Sequence, residues 1–336
     1  MDINLRPLSL GEILDRTAEL YRTNFLLFAG IFAVYAGVAL VLNLMLLGLE
    51  ELLKALHITG AAIWITLAAT GVELLIIFLL LGASVAAISR AVAWVHLGKP
   101  ATIRSAYMSI LPRLGRYLWL MTITAFVVWM PIVLLYGGYF GTMAFYAKGL
   151  GHQTVVAGQP ALASNPQALA VVGVATGVFV LLLIPAIIYT ILMGLRYALA
   201  LPACVVEDLK ARPALRRGIK LSKGARGRIF VLGLLIGAIK LGLVMVTQLF
   251  IVIAAVKQHG QLGPGLTALS QVISFFTTSF LGPIYATGIT LFYYDQRVRK
   301  EGFDIEWMME AAGLTPPELE AASTDGAEAP ETGEAV

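Results

Sequence analysis

A chain of 336 residues in which 59% are hydrophobic and only 13% charged, with a mean hydropathy of +0.84, lies outside the range of water-soluble domains. The net charge of +4 hides an uneven distribution and excludes nothing by itself. A single cysteine, Cys204, excludes an intramolecular disulfide and belongs to no thiol or metal motif.

The chain opens with a short amphipathic segment. Ser9 and Glu12 form an S-x-x-E capping box, with Leu8 and Ile13 in the two staple positions around it. Leu10, Ile13, Leu14 and Tyr21 then favour one face, and Glu12, Asp15, Arg16, Glu19 and Arg22 fall largely elsewhere, which predicts a helix at a membrane surface. Six apolar stretches follow, at 25–48, 61–88, 117–146, 168–192, 229–256 and 266–293. Each reaches or exceeds the ~20 residues that carry a helix across a bilayer, where every backbone polar group must be satisfied within the segment. The first begins too late to be a typical signal peptide and is expected to remain in the mature chain.

Basic residues set the orientation. The segment between spans two and three holds Arg90, Lys99, Arg104, Arg113 and Arg116, and that between spans four and five holds Lys210, Arg212, Arg216, Arg217, Lys220, Lys223, Arg226 and Arg228. The three opposite loops carry only Lys54, Lys148 and Lys257. By the positive-inside rule both termini are expected in the cytoplasm of a bacterial inner membrane.

A faint repeat runs through these segments. Laying Ile103–Ala106 over Leu215–Gly218 brings Gly115-Arg116-Tyr117 over Gly227-Arg228-Ile229 without a gap, and Leu14-Asp15-Arg16-Thr17 follows the same register. The pattern suggests three units, about 8–95, 99–204 and 211–312, each a short juxtamembrane helix followed by two spans; similar basic segments would also arise from topology alone. In the third unit Leu215, Ile219 and Ser222 set one side of a helix against a basic side. Arg212, Arg216, Arg217, Lys220, Lys223, Arg226 and Arg228 are therefore candidates for contact with anionic lipids, or are simply topology anchors. Aromatic residues do not interleave with these charges as a nucleic-acid platform requires.

Within the spans, Glu73 in the second and Lys240 in the fifth stand out. Counting from the span ends places both near the midplane, and their opposite signs make an intramembrane Glu73–Lys240 pair the expected arrangement. Such a pair is either a structural tie between spans or the lining of a polar cavity. Gly137 and Gly141, Gly173 and Gly177, and Gly233 and Gly237 form G-x-x-x-G pairs that would admit close helix approach, and Pro131, Pro185 and Pro283 interrupt predicted spans. No catalytic motif occurs: there is no G-x-S-x-G, H-E-x-x-H, C-x-x-C or phosphate loop. His57, His152 and His259 fall in the opposite loops without accompanying carboxylates, so neither a metal nor another cofactor is expected.

The last span leaves the membrane through Tyr293 and Tyr294 at interface depth, followed by Arg297, Arg299 and Lys300. Asp295 is placed to pair with Arg299 at i,i+4 or with basic residues of the inner loops. Ile305, Met308, Met309 and Ala312 form a short apolar stripe, and 313–336 reads as a disordered acidic tail without a basic residue.

The run Thr290-Leu291-Phe292-Tyr293-Tyr294-Asp295-Gln296-Arg297-Val298-Arg299-Lys300-Glu301-Gly302-Phe303-Asp304 resembles the closing signature of the bacterial membrane-domain family named after glycerophosphoryl diester phosphodiesterase. The opening from Arg6 to Asp15, with Tyr21-Arg22 and Asn24-Phe25, is similar to that family's start, and Pro202–Glu207 and Leu215–Arg228 extend the likeness over roughly residues 5 to 310. The resemblance implies a multi-span membrane module without the soluble phosphodiesterase barrel to which some members are fused, and it supplies no catalytic residue. The expected protein is therefore all-α and polytopic, a non-enzymatic scaffold or protein partner in lipid-linked or envelope processes. The alternative is a transporter or lipid-handling protein with a polar cavity near Glu73 and Lys240.

Overall fold

A computed structural model describes residues 6–57, 61–150, 166–257, 263–305 and 309. Among them the chain is helical throughout, as α1 (Leu10–Thr23), α2 (Phe25–Ala55), α3 (Ala62–His96), α4 (Ile103–Ile110), α5 (Leu114–Leu150), α6 (Pro166–Tyr197), α7 (Ala200–Val206), α8 (Ala211–Ser222), α9 (Arg226–Lys257) and α10 (Pro264–Glu301). Six of these helices are long and apolar enough to cross a membrane, so the protein is an all-α, multi-pass membrane protein. Short α1, α4 and α8 each precede two long helices, with α7 as an extra turn before α8. The acidic segment 313–336, Met308, Ala312, His152 and His259 lie outside the described residues.

The local signals explain the short helices. Ser9 caps α1 by accepting from the Glu12 backbone, and the Glu12 side chain accepts from the Ser9 N–H (2.6 Å). The Ser9 hydrogen bonds, reinforced by Arg6, hold the Glu12 carboxyl at about 2, well below its ordinary value. Thr102 and Ser105 make the equivalent reciprocal cap on α4. On α1 the buried residues are Ile13, Thr17 and Leu20, at helical spacing, and they face α10 and α2.

The core is concentrated where these short helices gather, which we call the basic end. α3 runs through it on small residues, with Gly82, Ala83, Ser84, Ala86, Ala87, Ala91 and Ala93 all buried, so that neighbouring backbones come close. α10 packs against α2, α3, α9 and α1. The α5–α6 hairpin is peripheral: only 6% of the most apolar stretch of α6 is buried, and its remaining side chains face outward as lipid-facing residues do.

The close approaches fall at other glycines than those of the G-x-x-x-G pairs. Around Gly137, Gly141, Gly173, Gly177 and Gly237 a methyl group would meet open space, and at Gly233 only an ordinary contact with Tyr285. Gly218 instead lies against the backbone of Ala200, Gly282 against the Phe32 ring, and Gly82 against Leu118 and Met121. Spacing identifies glycines on one helix face, but the face that meets a neighbour is set by the rest of the bundle. Pro131, Pro185 and Pro283 are each accommodated inside a continuous helix; the Thr190 hydroxyl of α6 crosses to the Val128 carbonyl near the first of them (3.1 Å).

A methyl group at Gly218 would come within 2.6 Å of the Ala200 backbone nitrogen, which no rotamer change relieves. Gly218→Ala is expected to lower stability by about 1–3 kcal/mol, as overpacking does, whereas Gly237→Ala should be neutral or slightly stabilising. Unfolding midpoints of the two variants in the same detergent check this; equal midpoints would refute it.

Candidate functional site at the basic end

The closing motif is the hub of a charged network. Asp295 sits on α10 with its side chain wholly out of solvent. Its carboxylate accepts from the Leu8 N–H (2.8 Å), from Arg299 Nε (2.9 Å), from Arg228 Nη1 (3.2 Å) and from Gln296 Nε2 (3.0 Å). The same two arginines donate their Nη2 groups to the Leu8 carbonyl, Arg228 at 2.8 Å and Arg299 at 2.6 Å. A buried carboxylate with this many donors is satisfied, and the chain entry before α1 is pinned to both α9 and α10.

One turn away, Glu207 at the end of α7 holds a second centre. Its carboxylate accepts from Arg217 Nε (2.9 and 3.0 Å) and from the Tyr293 hydroxyl (2.5 Å). Arg217 reaches onward through Nη1 and Nη2 to Glu301 (2.5 and 2.7 Å). Arg297 lies near both carboxylates and places its guanidinium 3.9 Å from the centre of the Phe303 ring. Lys300 donates to three carbonyls at the C-terminal end of α8, those of Lys223 (2.6 Å), Leu221 (2.9 Å) and Lys220 (3.2 Å), where the helix dipole favours a cation. Gly302, in the left-handed conformation at φ 66°, ends α10 and turns Phe303 and Asp304 back beside it.

A third carboxylate completes the arrangement. Asp208, at φ 59°, occupies the link between α7 and α8, and its side chain pairs with Arg113 and lies 3.6 Å from Arg116. Arg116 also donates to the Asp208 carbonyl (2.7 Å). This ties the α4–α5 junction to the same layer.

These contacts redistribute the roles of the basic residues. Arg212, Arg216, Lys220, Lys223 and Arg226 are exposed, whereas Arg217 and Arg228 turn inward to carboxylates. Tyr293 and Tyr294 are buried among protein rather than set at a lipid interface. Asp295 pairs with both kinds of partner anticipated for it, Arg299 on its own helix and Arg228 from an inner segment. The importance of Glu207 and Asp208 was not read from the sequence. Their signal was available: they are the only acids in a segment holding eight basic residues.

Glu73 and Lys240 do not meet. Glu73 is buried on α3 with its Oε1 enclosed and lacking any hydrogen-bond partner, while Lys240 is exposed on α9. The register of α10 explains why. Ile236 packs on Gly288, and the hydroxyls of Ser89 and Thr290 lie 3.3 Å apart, so α3 and α9 can be measured from adjacent levels. Lys240 is one turn beyond Ile236, but Glu73 is sixteen residues beyond Ser89, and at ~1.5 Å per residue the two differ in height by roughly 15 Å. Counting from span ends failed because hydropathy marks the extent of each helix and not the level at which it passes its neighbours.

Among the described residues no group of three or more His, Cys, Asp or Glu side chains is placed to hold a metal ion. Within the network each carboxylate is engaged by a guanidinium, an arrangement that fixes the helices against one another. No family model, curated protein or solved structure matches this chain.

Asp295→Asn removes the charge while keeping the shape, leaving two arginines facing a neutral amide. A loss of about 2–3 kcal/mol is expected, below the full cost of breaking a buried pair because both arginines are partly exposed. Unfolding of the variant in detergent, with Arg22→Gln at an exposed position as control, tests the assignment; a stability matching the control would remove Asp295 from its central place.

Proposed function

We propose that this protein is a non-enzymatic membrane module of a bacterial inner membrane, with its basic end and both termini in the cytoplasm. It serves as a scaffold or protein partner in lipid-linked or envelope processes. The observation that carries this reading is the division of labour among the charges. Arg217, Arg228, Arg297, Arg299 and Lys300 bind the helices to one another, while Arg212, Arg216, Lys220, Lys223 and Arg226 remain outward on and beside α8. A rigid layer bearing an outward basic patch suits recognition of an anionic surface, since each basic residue near an acidic membrane contributes about 1 kcal/mol. The resemblance of the opening and closing motifs to the glycerophosphoryl diester phosphodiesterase membrane-domain family supports the same reading, as does the threefold short-long-long order of helices.

A second reading, a carrier or lipid-handling protein, draws on a cavity of about 340 Å³ beside Ser89, Thr124, Trp129, Tyr197 and Tyr285, lined by α3, α5, α6, α7 and α10. Flux through reconstituted vesicles distinguishes it.

Purification in native lipid particles followed by mass spectrometry tests the leading reading. The wild-type chain is expected to retain anionic lipids, or an acidic protein, and the triple variant Arg212→Glu, Arg216→Glu, Lys220→Glu to lose them while still purifying as a folded protein. Identical retention by both chains would sink it.

A further inference from the structure

At the end of the bundle away from the charged network, α2 and α3 line a cavity of about 610 Å³. Its walls are apolar, formed by residues such as Leu46, Leu49, Ala69, Val72 and Ile76, and Glu73 is the single charged side chain lining it. Glu73 is 7% exposed, and its Oε1 is enclosed without a hydrogen-bond donor. Met45 and Leu52, which share the lining, are more than half exposed, so the cavity opens on the side of the bundle that faces lipid. A second cavity of about 580 Å³ lies farther along the same two helices, at their ends, lined by Glu50, Lys54 and His57 among others. There Lys54 is paired with Glu51 at 2.7 Å and lies within the field of Glu50 as well.

We propose that the α2–α3 cavity is a binding site for a membrane-dissolved hydrophobic monocation, with Glu73 as its counter-ion. This goes beyond the scaffold reading and does not depend on it. In apolar surroundings a carboxyl group is tolerable either protonated or beside a cation, and a bound monocation would take the place of that proton. Among the described residues none donates to the enclosed Oε1, and Lys240, the lysine of the spans, is on another helix and at another height. A small hard cation does not fit the chemistry, because it needs six or more oxygen ligands and the cavity offers one carboxylate. The complementary ligand carries one positive charge inside its own apolar shell, and the volume falls within the range of small-molecule sites. Glu73 lies eleven residues along α3 from Ala62, ~16 Å by helical rise from the end of the helix.

The test is equilibrium binding of radiolabelled tetraphenylphosphonium to the full chain in nanodiscs of phosphatidylglycerol and phosphatidylcholine. Saturable binding is expected, with no competition from tetraphenylborate, which has nearly the same shape and the opposite charge. Glu73→Gln should weaken it roughly tenfold or more, and Lys240→Met should leave it unchanged. If Glu73→Gln does not yield folded protein, Ala69→Phe, which narrows the cavity and keeps the carboxyl, should weaken binding instead. Lack of saturable binding, equal binding of both ions, or full affinity in Glu73→Gln would overturn the proposal. Displacement by added phosphatidylethanolamine would also overturn it, by assigning the site to a headgroup. None of these results bears on the lipid and partner retention that tests the scaffold.

Discussion

The carboxylate of Asp295 has no contact with solvent, and an ionised group in that position is tolerable only with donors on every side. Those donors arrive from the chain entry at Leu8, from Arg228 at the start of α9 and from Arg299 on α10 itself. None of the three segments can settle there alone, since each leaves either a buried charge or a backbone group without its partner. Their assembly is therefore joint. Glu207 extends the same logic to α7 and α8, and Asp208 extends it to the α4–α5 junction.

This concentration of polar contacts has a mechanical consequence. Helices in lipid gain little from hiding apolar side chains from one another, because acyl chains are equally apolar; association rests on close packing and on hydrogen bonds. Both are gathered at the basic end, where α3 contributes its small residues and Gly218 lets α8 touch the backbone of α7. Toward the other end lie the cavities lined by α2 and α3. The enclosed, unpartnered carboxyl of Glu73 in that region contrasts with the fully engaged carboxylate of Asp295.

The features that could be read without coordinates were those governed by local rules. The capping box of Ser9 and Glu12 forms because its two hydrogen bonds lie within four residues, and the six spans follow from hydropathy and length. The Asp295–Arg299 contact was legible for the same reason, being one helical turn. Arg217 and Arg228 were indistinguishable in sequence from their exposed neighbours, because which basic residue turns inward depends on where α7 and α10 lie. The glycine pairs misled for an equivalent reason: the spacing reports a face, and nothing local reports the neighbour.

Composition and periodicity were enough to establish a helical protein that lives in a bilayer, with its positive charge gathered on one side, because lipid imposes its demands on each segment separately. The partners of the charges were decided by tertiary structure alone. Glu73 and Lys240 were matched in sign and nearly matched in apparent depth, yet the heights at which α3 and α9 pass α10 keep them apart. An ion pair depends on distances between helices, and those distances are fixed only when every helix has found its level against the others.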